Sequence, residues 1–456
     1  MNSIFAIAIL SLRSAIRSKI VLVLLFFLLL TLIGLPLSVR GDGTLSGHVH
    51  ILLRYTLGLA TLILSVATVW ASCATLSTEI RDRQIQLVVS KPVRPVQIWL
   101  GKWLGLAAMN AFFLLLCFGA TYAALRWTTQ PQKLTAEEVE QLHTEILVAQ
   151  RKIAPVTPDL TDEVMRQYRA GRARGEWPPD MRTTDILPRI ERTVRAHVHS
   201  VAPGTRNQWV FRLPHEPPTD RPLILRYRFS ASVLDLEPVL ATWSAGAPDA
   251  PDRDVTSVEV PPRTWQSLAI APERVTADGT LTIEFANHHE RAVTVIFNPE
   301  EGLQLMMYAG GFLPNYFRAY TLLLFHLLFL AAIGITAGAY FSIPVAAMAS
   351  FYALLLLNAG RLVGRIAERK IHVAHHPDAG WLEQAIDAAA FAVYRVLHLI
   401  LRPLEAANPL DLVALGQWIG WSQVGYMLVV KLLLYSGILL VLGAWHLRHK
   451  EVALPS

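Results

Sequence analysis

Five long apolar runs constrain the fold of this chain more than any other feature of its sequence. A helix needs about 20 apolar residues to cross a hydrocarbon core about 30 Å thick. The runs that reach or approach this length are Ile20–Leu37, Ile51–Thr75, Ile98–Leu125, Tyr320–Ala339 and Gly425–Leu447. A shorter run, Ile343–Leu357, follows the fourth after a tight turn at Tyr340–Ser342 and can span if it continues to Val363. The sequence therefore predicts a polytopic α-helical membrane domain with six transmembrane helices.

A polar block separates the third run from the fourth. Residues 128–315 contain 20 Lys and Arg against 25 Asp and Glu, whereas the rest of the chain has a net charge of +11. The basic excess thus belongs to the apolar parts, where it suits anionic lipid headgroups, and it does not indicate a nucleic-acid-binding protein. We expect an N-terminal membrane half at 1–127, an inserted domain at 128–315 and a C-terminal membrane half at 316–456.

Charge around the apolar runs predicts the topology, because loops rich in Lys and Arg stay in the cytoplasm. Such residues precede the first run, surround the connection between the second and third, and follow the last. They are Arg13, Arg17, Lys19, Arg81, Arg83, Lys91, Arg94, Lys102, Arg448 and Lys450. This bias predicts a multi-pass protein of the bacterial inner membrane, with both termini cytoplasmic and the 128–315 block extracytoplasmic.

The inserted block changes its periodicity along its length. Residues 135–201 have a helical pattern, and Thr135 before Glu137 and Glu138 predicts a helix start, since threonine can cap and carboxylates favour the N-terminal dipole. From 207 to 308 the period becomes two, and turn residues separate short apolar runs. The runs are Gln208–Leu213, Leu223–Phe229, Val239–Trp243, Thr256–Val260, Leu281–Ala286, Val293–Phe297 and Leu303–Tyr308. The block therefore predicts an α+β domain containing a β-sandwich.

The segment 381–403 is apolar on one side only. Glu383, Asp387 and Arg395 fall on its polar side, and burying them in lipid would be costly. We expect an amphipathic helix that lies in the outer interface or dips in and out of it. The alternative is a helix packed on the inserted domain.

The connection between the second and third runs carries a family signal. Residues Thr75–Val93 read TLSTEIRDRQIQLVVSKPV, and Gly101-Lys102 follow at the start of the third run. This segment resembles the cytoplasmic turn of ABC-2 type transporter permeases, in which a short amphipathic helix precedes a Ser-Lys-Pro-Val step. Further likeness lies in Ser342–Val345, Asn408–Asp411 and Trp445–Glu451. The membrane part looks closest to the branch of permeases for multicopper-enzyme maturation and gliding, and the 128–315 block is an unusual insertion.

The resemblance implies a permease subunit of an ABC transporter, of exporter type. Its partners would be a separate ABC ATPase, a second permease copy or a homologue, and the lipid membrane. A coupling helix at 77–90, ended by Pro92 because proline blocks helix continuation, would contact the ATPase. The residues implied in coupling are Glu79, Arg81, Asp82, Arg83, Gln84, Lys91 and Pro92. An ordinary solvated loop helix is the alternative for this segment.

The sequence lacks the common motifs for nucleotide binding and hydrolysis. It contains no G-x-x-x-x-G-K-[ST], H-E-x-x-H or G-x-S-x-G pattern. We therefore expect no enzyme activity, no cofactor and no metal here, with ATP bound by the partner ATPase. Loop histidines are the weaker alternative for a metal site, and the densest group is His372, His375 and His376.

Three polar residues lie within or near the apolar runs. Arg54 and Lys431 lie toward the outer side, where long side chains can reach water. His326 is too short to do so and is a candidate for the substrate pathway or its gating, the alternative being a histidine that packs helices. A rival function from another class is a non-transporting scaffold or receptor whose β-sandwich binds a glycan or a periplasmic protein.

Overall fold

The structure is a computed structural model of the 456-residue chain. It describes residues 3–38, 45–82, 93–130, 132, 134–177, 181, 183–232, 238–247, 254–288, 293–299, 302–368, 389, 392–393, 395–404 and 408–449. The chain divides into two compact units. A helical unit contains Met1–Leu142 and Phe312–Ser456, and a β-rich unit contains His143–Gly311. The inserted unit is thus shorter than the predicted 128–315, because residues 128–142 belong with the helices.

The helical unit is built from long helices joined by short connections. Its elements are α1 (Ser3–Arg17), α2 (Lys19–Ser38), α3 (Leu45–Arg81), α4 (Pro95–Thr128), α5 (Ala136–Gln141), α8 (Phe312–Tyr340), α9 (Ile343–Glu368), α10 (Pro409–Ala414) and α11 (Trp421–His449). Two short helices, α6 (Thr161–Ala173) and α7 (Thr183–Val198), belong to the β-rich unit. The predicted helix start at Thr135 is confirmed, since its Oγ1 accepts from the N–H of Glu138 and the Glu138 carboxylate accepts from the Thr135 N–H.

Five of these helices are long and apolar enough to cross a membrane: α2, α3, α4, α8 and α11. They coincide with the five long apolar runs, which is consistent with a multi-pass membrane protein. The apolar part of α9, Ile343–Asn358, is shorter. Helix α1 was not predicted; it is separated from α2 by Ser18 alone.

Small residues let the long helices approach closely. Gly334 and Gly338, one helical turn apart on α8, face Ser72, Cys73 and Ser77 of α3. A Cβ added at Gly338 would lie 2.7 Å from the carbonyl oxygen of Cys73, and the Ser77 hydroxyl donates to the Gly338 carbonyl at 2.9 Å. Glycines spaced by four residues are the usual device for close packing of membrane helices.

The same device holds α1 against the start of α4. A Cβ at Gly101 would lie 2.7 Å from the Cβ of Ile7, and one at Gly105 would meet the Ala8 carbonyl and Ser11. The Gly101-Lys102 pair of the family-like segment therefore has a packing role in this structure. It is the glycine that brings the two backbones together.

Part of the predicted amphipathic helix 381–403 is described. Residues 389, 392–393 and 395–401 are helical, and Arg402–Leu404 forms a 3₁₀ turn. Leu401 and Leu404 are buried against Phe329 of α8 and Val430 of α11, which lie well inside those helices. The C-terminal part of this segment thus packs within the helical unit, and its position at the outer interface stays a prediction.

Eleven strands are described in the β-rich unit, and every pairing among them is antiparallel. They are β1 (Val148–Ile153), β2 (Ser200–Val201), β3 (Arg206–Arg212), β4 (Leu223–Tyr227), β5 (Phe229–Ala231), β6 (Val239–Ala245), β7 (Asp254–Val260), β8 (Gln266–Ile270), β9 (Thr280–Asn287), β10 (Val295–Phe297) and β11 (Leu303–Gly311). Their orders are β1-β11-β4-β8, β2-β10-β5 and β3-β9-β6-β7.

One apolar core joins the described sheets. Its large side chains are buried aromatics, and along β3 and β6 the buried residues alternate with more exposed ones, as period two requires. The largest are Trp209, Tyr227, Trp243, Phe285 and Phe297. Tyr227 and Phe285 lie within 5 Å of the Trp243 ring, measured between ring centroids, so β4, β6 and β9 share this core.

The sequence-based prediction for 135–201 is wrong in one part. Residues Val148–Ile153 form β1, which pairs with β11, instead of continuing the predicted helix. Their local pattern, VAQRKI, suits either structure. Pairing with β11 favours the strand. It buries most of the β1 side chains in the β-rich unit and gives the β1 backbone its hydrogen-bond partners.

His199 makes the stability of the β-rich unit pH-dependent. Its imidazole is buried, and the Trp209 indole N–H donates to His199 Nδ1 at 3.3 Å. Burial lowers the pKa of His199 below its ordinary 6.5, and the charge of Arg195 lowers it further. Since the unfolded chain binds this proton more readily, the contribution of His199 is complete above pH 6.5 and is lost as the pH falls through the folded-state pKa.

We therefore expect acidification from pH 7.5 to 5 to lower the melting temperature of the β-rich unit. Tryptophan fluorescence of the full-length protein in detergent would follow that transition. His199→Gln offers a matched control, because its amide can accept from Trp209 and does not titrate. An equal pH dependence in the wild type and in His199→Gln would contradict the assignment.

Candidate functional site

A cavity of about 320 Å³ lies among the helices of the helical unit. Its walls come from α3, α8, α9 and α11, together with Leu404 and the start of α10. The polar residues that line it are Thr61, Ser65, His326, Asn358, Asn408 and Lys431. Polar and ionisable residues inside a membrane bundle are costly, so they are candidates for functional sites by default. This cavity is therefore the candidate site.

Lys431 is supplied by an irregular part of α11. Residues Leu428–Tyr435 are π-helical, between the α-helical segments Trp421–Met427 and Ser436–His449. The Lys431 carbonyl accepts from both the N–H and, at 2.8 Å, the hydroxyl of Ser436, five residues on. Such π-helical insertions are rare and concentrate at functional sites, because the extra residue per turn redirects nearby side chains.

His326 enters the same cavity from α8. Sequence analysis selected it for the pathway or its gating, and the structure places it with Lys431, near enough for the two to interact electrostatically. A neutral imidazole provides one N–H donor and one acceptor. The two residues are far apart in sequence, so only the packing of α8 on α11 brings them together.

The start of α10 lines the cavity, and contacts with α3 hold it there. The Asn408 side chain caps α10 by accepting from the Leu410 N–H at 3.1 Å. Asp411 pairs with Arg54 of α3 at 3.4 Å, and His50 Nδ1 lies 3.1 Å from the Ala414 carbonyl. Arg54, noted in the sequence as a polar residue near a run, thus has a structural partner.

The chain after α10 is fixed to the first turns of α8. The Asn315 amide donates to the Gln417 carbonyl at 2.8 Å and accepts from the Ile419 N–H at 2.8 Å. Arg318 Nη1 donates to the Ile419 carbonyl at 3.0 Å. These hydrogen bonds fix the chain that follows the lining residues Asn408–Leu410. This part of the cavity wall is therefore held in place and is not a free loop.

A second polar feature lies where α3 ends. Lys102 of α4 is 2 % exposed, and its Nζ lies 2.6 Å from Glu79 Oε1 and 3.1 Å from the Thr75 carbonyl of α3. The resemblance implied Glu79 as a coupling residue at a solvated surface. In the structure Glu79 instead neutralises a buried lysine, so a change of its charge would disturb the fold itself.

The other implied coupling residues are only partly described. Residues Ser77–Arg81 are the last turn of α3, so this part of the predicted 77–90 helix continues the second span. Arg81 and Asp82 pair with each other at 2.9 Å, with side chains 66 % and 39 % exposed. Arg83, Gln84, Lys91 and Pro92 lie outside the described residues.

The weaker metal alternative has no support in the described part of the chain. No group of three or more His, Cys, Asp or Glu residues that could hold a metal ion occurs among the described residues. His372, His375 and His376 lie outside them. The prediction of no metal on this chain stays a prediction.

Comparison with known proteins does not name a family. Neither protein-family models nor curated proteins match the sequence of this chain. The sequence did not predict that Thr61, Asn358 and Lys431 line one cavity. The one signal for it in the sequence was a lysine inside an apolar run.

Proposed function

We propose that this chain is the membrane-spanning permease subunit of an ABC transporter. The observation that carries the proposal is the cavity lined by Lys431, His326 and Thr61 among helices otherwise apolar enough to cross a membrane. A purely structural bundle gains nothing from such a cavity, because unpaired polar groups in hydrocarbon are costly. ATP hydrolysis would belong to a separate ATPase, and transport would be of exporter type.

The membrane topology forms part of the same proposal. Helix α9 has 26 residues and a length of about 39 Å at 1.5 Å per residue, which is enough to serve as a sixth span. It belongs to the helical unit, since Cys73 Sγ of α3 donates to Ser350 Oγ of α9 at 3.4 Å. Six spans would put both termini on the cytoplasmic side of a bacterial inner membrane. The β-rich unit would then lie outside, with its sheets closed as a β-sandwich.

The end of α3 and the start of α4 form the proposed docking point for the ATPase. The pair between Glu79 and Lys102 ties the two helices together just before residues 83–92 connect them. Arg94 caps α4, with its backbone N–H donating to the Gln97 side chain at 3.0 Å. A connection braced at both ends can transmit a push from an ATPase to the spans. A second copy of the chain, or a homologue, would complete the transporter.

Exposed charges beside this connection supply the test. The double variant Arg81→Glu, Asp82→Arg reverses a solvent-exposed pair, so its effect on stability should stay within about 0.5 kcal/mol. Charge reversal at a docking interface weakens association much more. We expect normal membrane levels, at least tenfold less P-loop ATPase co-purified from the host membrane, and a matching loss of ATP hydrolysis in the purified complex.

A matched control is available in the β-rich unit. Glu163→Arg, Arg166→Glu reverses another exposed pair, 3.1 Å long, and should leave co-purification of the ATPase unchanged. If no P-loop ATPase accompanies the wild-type protein, the transporter proposal fails. The scaffold or receptor that binds a glycan or protein through its β-rich unit would then be the better reading.

A further inference from the structure

The charge inside the cavity is one-sided. Lys431 and His326 line it, and none of the described residues that line it is acidic. Two carboxylates are next to lining residues along the chain: Asp411, which follows Leu410 and pairs with Arg54 at 3.4 Å, and Glu405, which follows Leu404 and lies outside the described residues. A lysine amine held among apolar helices calls for a negative partner, because an isolated buried charge is expensive.

Hydrogen-bond donors from three helices converge on the same space. Lys431 comes from α11, His326 from α8 and Thr61 from α3. Thr61 Oγ1 is buried and has no hydrogen-bond partner among the described residues. Buried hydroxyls are normally paired, so an unpaired one that lines a cavity is free to bind a polar group there. Donors arriving from three directions suit a tetrahedral phosphate better than a planar carboxylate.

The cavity also has an apolar side. Leu62, Leu322, Leu323 and Leu357 line it beside the polar residues. Leu62 lies midway along α3 and is 54 % exposed, so this wall reaches the outer surface of the helical unit. A volume of about 320 Å³ equals about ten water molecules at their liquid volume, which accommodates a headgroup.

We propose that this cavity binds a phosphate-type anionic group through Lys431, His326 and Thr61. The inference rests on the proposed function, since it assigns a chemical class to the transported molecule. The group can belong to a lipid headgroup, whose chains would pass Leu62, or to a free phosphate. Both sources share the same contacts with the three donors.

The test uses the full-length protein in detergent and three probes: dihexanoyl phosphatidylglycerol, dihexanoyl phosphatidylcholine and inorganic phosphate. A ligand that binds the folded state raises its melting temperature in a saturable way, so a Kd follows from a titration. We expect the anionic lipid or inorganic phosphate to stabilise the wild type and the zwitterionic lipid to do so much less. Lys431→Gln should raise the Kd at least tenfold, and Lys431→Arg should keep it within about threefold.

Two further variants keep the test decisive. Thr61→Val preserves shape and removes one donor, so it should raise the Kd severalfold even if Lys431→Gln folds poorly. Lys19→Gln removes the same charge from an exposed position outside the cavity and should leave the Kd unchanged. Stabilisation by the anionic lipid alone identifies a headgroup as the source, and stabilisation by inorganic phosphate identifies a free anion.

Equal binding of the anionic and zwitterionic lipids, or wild-type affinity in both Lys431→Gln and Thr61→Val, would overturn the site. Its failure is separable from that of the proposed function. A protein that co-purifies with an ATPase but does not bind the anionic probes remains a permease without this site. Conversely, a Kd that depends on Lys431 in a protein without an ATPase keeps the site and removes the transporter.

Discussion

Replacing Glu79 by glutamine is expected to destabilise the helical unit by about 3 kcal/mol. Its carboxylate lies 2.6 Å from Nζ of Lys102, whose side chain is 2 % exposed. Removing one partner of a buried ion pair leaves the other charge buried without compensation, which typically costs about 3–5 kcal/mol. The lower end applies here because Glu79 is 31 % exposed and water can reach it. Thermal or denaturant unfolding of the full-length protein in detergent measures the loss.

Asp82→Asn is the matched control for this prediction. It makes the same change of acid to amide three residues along the chain, in a pair with side chains 66 % and 39 % exposed. Exposed pairs contribute at most about 1 kcal/mol. The double variant Glu79→Gln, Lys102→Met should recover much of the stability, since it removes the buried charge as well. Equal losses in Glu79→Gln and Asp82→Asn would show that the pair is not buried as described.

Replacing Gly338 by alanine is expected to destabilise the same unit by about 2 kcal/mol. The added Cβ would lie 2.7 Å from the Cys73 carbonyl oxygen and 3.1 Å from the Ser77 hydroxyl. The first contact is with backbone, so α3 and α8 must separate, and overpacking of this kind costs about 1–3 kcal/mol. Alanine favours a helix over glycine by up to about 1 kcal/mol, so the overpacking must outweigh this gain for the protein to be destabilised.

Gly119→Ala isolates the packing effect from the helix effect. It lies within α4, and a Cβ added there would meet no atom within 4 Å. It should be neutral or slightly stabilising when measured by the same unfolding experiment. A Gly338→Ala variant as stable as Gly119→Ala would mean that α3 and α8 do not pack through this glycine.

Hydropathy and period predicted much of the fold because they report local properties of the chain. The five long apolar runs correspond to α2, α3, α4, α8 and α11. Each of the seven predicted strand runs overlaps a strand, and Leu223–Phe229 is divided between two strands, β4 and β5. The prediction missed β2 and β8, and it failed at β1, where a segment predicted helical becomes a strand by pairing with β11.

The coupling residues show the limit of a motif. The family-like order Thr75–Val93 and Gly101-Lys102 is visible in sequence, but the roles of individual residues are not. Glu79 was placed on a solvated surface, and its contact with Lys102 follows from the side-by-side packing of α3 and α4. Gly101 was selected as a motif residue, and its role in seating α1 needed the position of Ile7.

The sequence by itself determined the five helices long and apolar enough to cross a membrane and most of the strands, since both depend on residues close together in the chain. Only the tertiary structure decided what these segments bring together. His326 and Lys431 are separated by more than a hundred positions, and Thr61 lies farther still from both. They meet in one cavity because α3 and α8 approach through glycines and because a π-helical stretch carries Lys431 in α11. Such contacts depend on backbone approach and helix rotation, which no local pattern encodes.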